Sequence, residues 1–216
     1  MKKLDIIYED KNILVINKPS GLLTISTKKE KEKTLFYETS MYVKKSNPKA
    51  KIFIINRLDK ETSGLVMFAK NQTLKYKYQN NWNSVAVKRS YIALVHNKFD
   101  DKKGTIKSYL KQTNTSLVYS SNDKKNGKLA ITDYEVIEQN NKYALLNVDI
   151  KTGRKNQIRV HLKDINHPIV GDKKYGIKDK SRRLMLHAYY LKIINPVTKK
   201  EMEFTCKIPK EFEIQR

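Results

Sequence analysis

Apolar positions in this chain fall into short runs with two different periods, and the switch between them marks the elements. Residues 5–9 and 13–17 read as two short strands joined by an Asp10-Lys11-Asn12 turn. Residues 34–45 carry Leu35, Glu38, Met41 and Tyr42 at helical spacing, with Thr34 placed as an N-cap. Ile52 to Ile55 and Leu65 to Ala69 are apolar runs that read as buried strands. Residues 72–82 predict a second helix, its Leu74, Tyr78 and Trp82 stripe assigned to core packing. From residue 90 the pattern becomes β-rich, with strands predicted over 90–96, 105–110, 116–120, 130–138 and 143–150. In the fourth of these, Ile131, Asp133, Glu135 and Ile137 alternate with Thr132, Tyr134 and Val136, so the two sets lie on opposite faces. A helix starting near Asn156 turns Ile158, Leu162 and Ile165 inward, and residues 184–194 and 201–207 supply the closing strands. Strands with a few helices and no internal repeat predict an α+β protein on one large, mixed, mainly antiparallel sheet.

Composition narrows the class. The 216 residues are 39% apolar and 31% charged, enough for a substantial core in one domain or one core with two lobes. Lys and Arg number 45 against 22 acidic residues, a formal charge of +23. That excess points to a polyanion, with nucleic acid favoured over an anionic membrane surface. Charge concentrates in the run 28–33, a solvated loop, and in a hairpin loop where Lys124, Lys125 and Lys128 surround Gly127. The single Cys206 excludes an internal disulfide and a thiolate metal cluster. Met1-Lys2-Lys3 is a basic start, but Asp5, Glu9 and Asp10 interrupt any following apolar segment, so the expectation is a soluble cytoplasmic protein without a membrane span.

The candidate chemistry centres on Arg57-Leu58-Asp59-Lys60-Glu61-Thr62-Ser63-Gly64, a polar loop between two apolar strands. It presents a carboxylate from a rigid frame, and Gly64 permits a turn other residues avoid. Arg57-Leu58-Asp59 followed by Thr62-Ser63-Gly64-Leu65 resembles the signature loop of the RluA-type RNA pseudouridine synthases. Companion segments occur in the family's order: Asn17-Lys18-Pro19-Ser20-Gly21-Leu22, the tyrosine-bearing Lys88-Arg89-Ser90-Tyr91-Ile92-Ala93-Leu94-Val95, and Thr152-Gly153-Arg154-Lys155-Asn156-Gln157-Ile158-Arg159-Val160-His161-Leu162. His167-Pro168-Ile169-Val170-Gly171-Asp172, Tyr175-Gly176 and Arg183-Leu184-Met185-Leu186-His187-Ala188 extend the resemblance over nearly the whole chain.

That resemblance implies the pseudouridine synthase fold, with an active-site cleft across its sheet, in a single catalytic domain spanning 1–216 without the family's small N-terminal RNA-binding domain. It implies cofactor-free and metal-free isomerisation of uridine to pseudouridine in ribosomal or transfer RNA, by a protein expected to be a monomer. The reaction breaks the bond from ribose C1′ to uracil N1 and rejoins the base through C5. It requires one carboxylate, acting as nucleophile at C1′ or base at C2′. The family's catalytic position falls on Asp59, its arginine partner on Arg159 and its active-site tyrosine on Tyr91. A guanidinium beside the carboxylate favours its ionised form, and a planar fork suits that contact better than an ammonium. A uridine in folded RNA must leave its stack, with Arg57 matching the residue that steadies the flipped nucleotide and Tyr91 the ring that stacks on uracil. Leu186 fits an apolar wall of the uracil pocket or core packing, Lys18 a phosphate contact, and Arg154 a phosphate or structural contact. Asn56 and Asn156 stand where the family usually has His. His96, His161, His167 and His187 lack metal-ligand spacing and read as core or supporting residues. Two rival readings remain. A non-catalytic RNA-binding protein on the same fold is opposed by the retention of Asp59, Tyr91 and Arg159. A metal-dependent nuclease is opposed by the scatter of Asp59, Glu61, Asp133 and Asp149.

Overall fold

Two strands that are buried at almost every position cannot face water on either side, and the first half of the chain is built around such a pair. β2 (Ile13–Lys18) and β4 (Ser63–Ala69) pair antiparallel, with Ile13 opposite Ala69 and Lys18 opposite Gly64. Ile13, Val15, Leu65 and Met67 enter one core with Tyr78, Val85 and Leu191, while Leu14, Ile16, Val66 and Phe68 enter another with Leu35 and Ile52. Helices therefore cover both faces. α1 (Leu35–Ser46) contributes Tyr42 and Val43 to the second core, and α2 (Gln72–Gln79) with the short α3 (Trp82–Val85) contributes Leu74, Tyr78 and Trp82 to the first.

The structure is a computed structural model describing residues 3–214; Met1 and Lys2 of the basic start lie outside the described residues. It divides into two compact units, 1–87 with 188–207 and 88–187 with 208–216. In the first unit, β1 (Ile6–Glu9) flanks β2, β3 (Phe53–Ile54) pairs with β4, and the part of β10 (Leu186–Ile194) from Ala188 onward pairs antiparallel with β11 (Glu201–Thr205). The second unit has the strand order β5 (Lys88–His96), β9 (Tyr143–Ile150), β8 (Lys128–Gln139), β6 (Lys103–Gln112), β7 (Val118–Ser121), with every neighbouring pair antiparallel. α4 (Gln157–Asp164) packs Ile158 and Leu162 against Ala93, Val95, Leu146 and Val148 on one face of that sheet. β9 alternates, with Ala144, Leu146, Val148 and Ile150 buried and the residues between them half-exposed.

Asparagines cut back two of the predicted elements. The strand over 52–55 reduces to Phe53–Ile54, because the Asn56 side chain takes over the pairing: its Oδ1 accepts from Met67 N–H at 2.7 Å and its Nδ2 donates to Leu65 O at 3.3 Å. The helix over 72–82 breaks at Asn80-Asn81 into α2 and α3, since asparagine competes poorly for the helical backbone. Thr34 caps α1 as predicted, accepting from Tyr37 N–H at 3.1 Å. Among the described residues no helix is long and apolar enough to cross a membrane.

Candidate active site

The loop bearing Asp59 is fastened residue by residue within the first unit. Leu58 packs its side chain against the core that holds Leu14, Ile16 and Val66, so Arg57 and Asp59 flank an anchored residue. Thr24 Oγ1 donates to Leu58 O at 2.7 Å and accepts from Leu58 N–H at 3.3 Å. Lys60 O accepts from Gly21 N–H at 2.9 Å and from Lys18 Nζ at 3.0 Å, while Ser20 Oγ donates to Glu61 O. Thr62 N–H closes the turn on Asp59 O at 3.2 Å. Gly64 then enters β4 at φ +117°, and a Cβ there would stand 2.2 Å from the Ala188 carbonyl oxygen. Only glycine allows that approach. Asp59 is thereby a half-buried carboxylate on a rigid backbone, and Arg57 is exposed.

Lys18 requires a correction. It is 0% exposed, and its Nζ donates to Pro19 O, Leu22 O and Lys60 O at 3.0, 2.8 and 3.0 Å. An ammonium carries three donors, so no phosphate can reach this one. Its task is to tie the segment after β2 to the loop of Asp59.

In the second unit Arg159 lies on α4, 5% exposed, with Nε donating to Asp172 Oδ2 at 2.8 Å and Nη2 to Asp172 Oδ1 at 2.7 Å. The bidentate carboxylate contact foreseen for this fork is thus made with Asp172, a residue sequence reasoning did not single out. Burial pushes the Asp172 carboxyl up, but Arg159 and the backbone N–H groups of Lys174 and Tyr175 outweigh it and hold it below the usual carboxylate range. Tyr175 lies 5.2 Å from the Arg159 guanidinium, accepts from Val118 N–H, and donates to Asn156 Oδ1 at 3.1 Å. Asn156 itself caps α4 at φ +54°, a conformation asparagine tolerates. Under the helix, Gln157 donates to Ile131 O and Thr132 Oγ1 and accepts from Thr152 Oγ1 and Arg154 N–H, so α4 is docked by hydrogen bonds as well as by apolar contact.

Tyr91 is half-buried on β5, opposite Val148, its ring against the second unit's core. Leu186 is 3% exposed within that same core, so packing is the role the structure shows for it. Arg154 precedes α4 rather than sharing the helix with Arg159; it is exposed, and its Nε donates to Leu129 O at 2.9 Å. Among the described residues, no group of three or more His, Cys, Asp or Glu side chains is placed to hold a metal ion.

Comparison with known proteins decides the family. The sequence pattern described as RNA pseudouridylate synthase matches residues 12–164, which include Arg57, Asp59, Tyr91 and Arg159. The chain belongs to the RNA pseudouridylate synthase family. Its activity is that of an RNA pseudouridine synthase, an isomerase acting on RNA. An uncharacterized RNA pseudouridine synthase of Mycoplasma genitalium is 38% identical over 97% of this chain and 68% of its own length. The ribosomal large subunit pseudouridine synthase D of Borreliella burgdorferi is 36% identical over 97% of this chain, which spans 66% of that relative. In three dimensions the chain is similar to human RNA pseudouridylate synthase domain containing 1, at a TM-score of 0.78 and 25% identity over 95% of this chain and 84% of the human one. The α+β pseudouridine synthase fold expected from sequence is the fold observed.

Proposed function

We propose that the chain isomerises a uridine of ribosomal RNA, with Asp59 as the reacting carboxylate. The observation that carries this reading is the fastening of the Asp59 loop through Leu58, Lys60 and Glu61, which orients one carboxylate as a single-carboxylate reaction demands. Asp59 acts at the ribose, as nucleophile at C1′ or base at C2′. Arg57, exposed beside it, steadies the flipped nucleotide, Tyr91 stacks on uracil, and Arg159, oriented by Asp172, is the supporting cation. Ribosomal RNA is favoured because the similar Borreliella burgdorferi protein is named a ribosomal large subunit synthase. The reading needs no cofactor or metal, and takes the working form as a cytoplasmic monomer.

Carbodiimide mapping of pseudouridine in unmodified ribosomal and transfer RNA transcripts tests this, using pure wild-type protein and Asp59→Asn without added metal or cofactor. A new stop on ribosomal RNA with wild type alone is the expected result. A stop that survives in Asp59→Asn removes Asp59 from the chemistry, and a stop on transfer RNA alone removes the ribosomal target.

A further inference from the structure

Arg89 is the charged side chain that the reaction leaves unexplained. It is 8% exposed on β5, two residues before Tyr91 and on the same face of the strand, about 7 Å along it. Of its donors, Nη2 reaches Lys151 O at 2.9 Å, while Nε is enclosed and has no partner among the described residues. Among the described residues no carboxylate answers it. Burial pushes the guanidinium below its ordinary value, Tyr91 opposes that, and Arg154 adds to it. The nearby acid Asp149 lies on the opposite face of the strands, where it accepts from Ser90 Oγ and sits 3.7 Å from Lys88. An arginine keeps its charge at this burial, and an enclosed charge without a counter-charge is expensive to maintain.

The ground beside it is shaped for a visitor. Arg89 Nη1 lies 3.1 Å from where a Cβ on Gly153 would stand, so any larger residue there would crowd the guanidinium. Gly153 is itself exposed, and it is flanked by the exposed Lys151 and Arg154. A bare backbone beside the Nη1 edge of a guanidinium, flanked by two further cations, suits an anion that accepts at several oxygens.

We infer that Arg89 binds a backbone phosphodiester of the RNA, received at its Nη1 edge over the bare backbone of Gly153, next to the nucleotide contacted by Tyr91. This rests on the RNA-isomerase reading and adds to it a residue that clamps the strand beside the reacting base. The Arg89 fork supplies charge-assisted hydrogen bonds, and the phosphate supplies the missing counter-charge.

The test is binding of an unmodified ribosomal RNA transcript by wild type, Arg89→Met and Gly153→Ala across a series of KCl concentrations, with melting temperatures alongside. Arg89→Met is expected to bind about tenfold more weakly at moderate salt and to lower the log–log salt slope by about one. Its melting temperature should hold or rise, because an unpaired buried charge has gone. Gly153→Ala keeps the charge but crowds Nη1, and should also weaken binding without a loss of melting temperature. It decides the matter should Arg89→Met not fold. Wild-type affinity and slope in either folded variant overturn the inference, as does Arg89→Met that melts earlier while binding normally. Should wild type form no pseudouridine on the transcript, the ribosomal reading fails, and the binding ratios still decide Arg89.

Discussion

A lysine inside a protein with its three donors on three carbonyls is a clamp, and Lys18 is such a residue. Its sequence setting, a basic residue before Pro-Ser-Gly in a strongly cationic chain, reads equally well as a phosphate contact. Burial decides the matter, and one residue's burial is not written in its neighbours. Replacing it by Met keeps the volume but takes the ammonium donor from Pro19 O and Leu22 O and leaves Lys60 O with Gly21 N–H alone. Lys18→Met should lose at least about 2 kcal/mol in urea denaturation and lower kcat more than RNA affinity, because Lys60 follows Asp59 directly. Unchanged stability with weakened RNA binding would restore the phosphate role. The Asp59 position, by contrast, is legible because its motif is local. Its neighbours Arg57, Leu58 and Gly64 each serve a separate local need: exposure, anchoring and close approach.

At the scale of elements, period and turn chemistry carry most of the information. β2 and β4 emerge from apolar runs, β8 from alternation, and α1 from its cap and spacing. Two elements end early for one physical cause: an asparagine acting on the backbone, as a side-chain partner at Asn56 and as a helix break at Asn80-Asn81. The Arg159–Asp172 pair is harder to read, because its halves lie thirteen residues apart on α4 and in the turn after it. Glycines separate two effects that sequence merges. Gly21 takes φ +84° with nothing within 4 Å of an added Cβ, whereas at Gly64 such an atom would meet the Ala188 backbone. Gly21→Ala should therefore lose only the conformational term, about 1–2 kcal/mol. Gly64→Ala, which must also push β4 from β10, should lose more than about 3 kcal/mol or fail to fold. Equilibrium unfolding of the two variants measures the difference, and equal losses would contradict the close approach.

At the scale of the whole molecule, the net charge of +23 is the property most plainly legible in the sequence, while the response to pH depends on burial that the sequence does not display. His161 is 0% exposed beneath α4, its Nδ1 2.9 Å from Thr132 Oγ1 and its Nε2 3.0 Å from Ser108 Oγ. Burial pushes its pKa down to about 4, with Asp164 pulling weakly the other way. In the unfolded chain the imidazole titrates near about 6.5. Between those values the unfolded state binds the proton and the folded state refuses it, so stability falls as pH falls. The full contribution is present above about 6.5 and lost by about 4, on the order of 3 kcal/mol in all. Asp172, also depressed in the fold, extends the loss into the carboxylate range, and acidification raises an already large positive charge. A substitution separates these effects: His161→Gln retains hydrogen-bonding capacity but has no proton to gain. Urea unfolding at pH 7.5, 6.5, 5.5 and 4.5 should show wild type losing stability steadily below about 6.5, with His161→Gln nearly level until the carboxylates begin to titrate. Parallel curves would mean that the acid sensitivity belongs to the surface charge and not to the imidazole under α4.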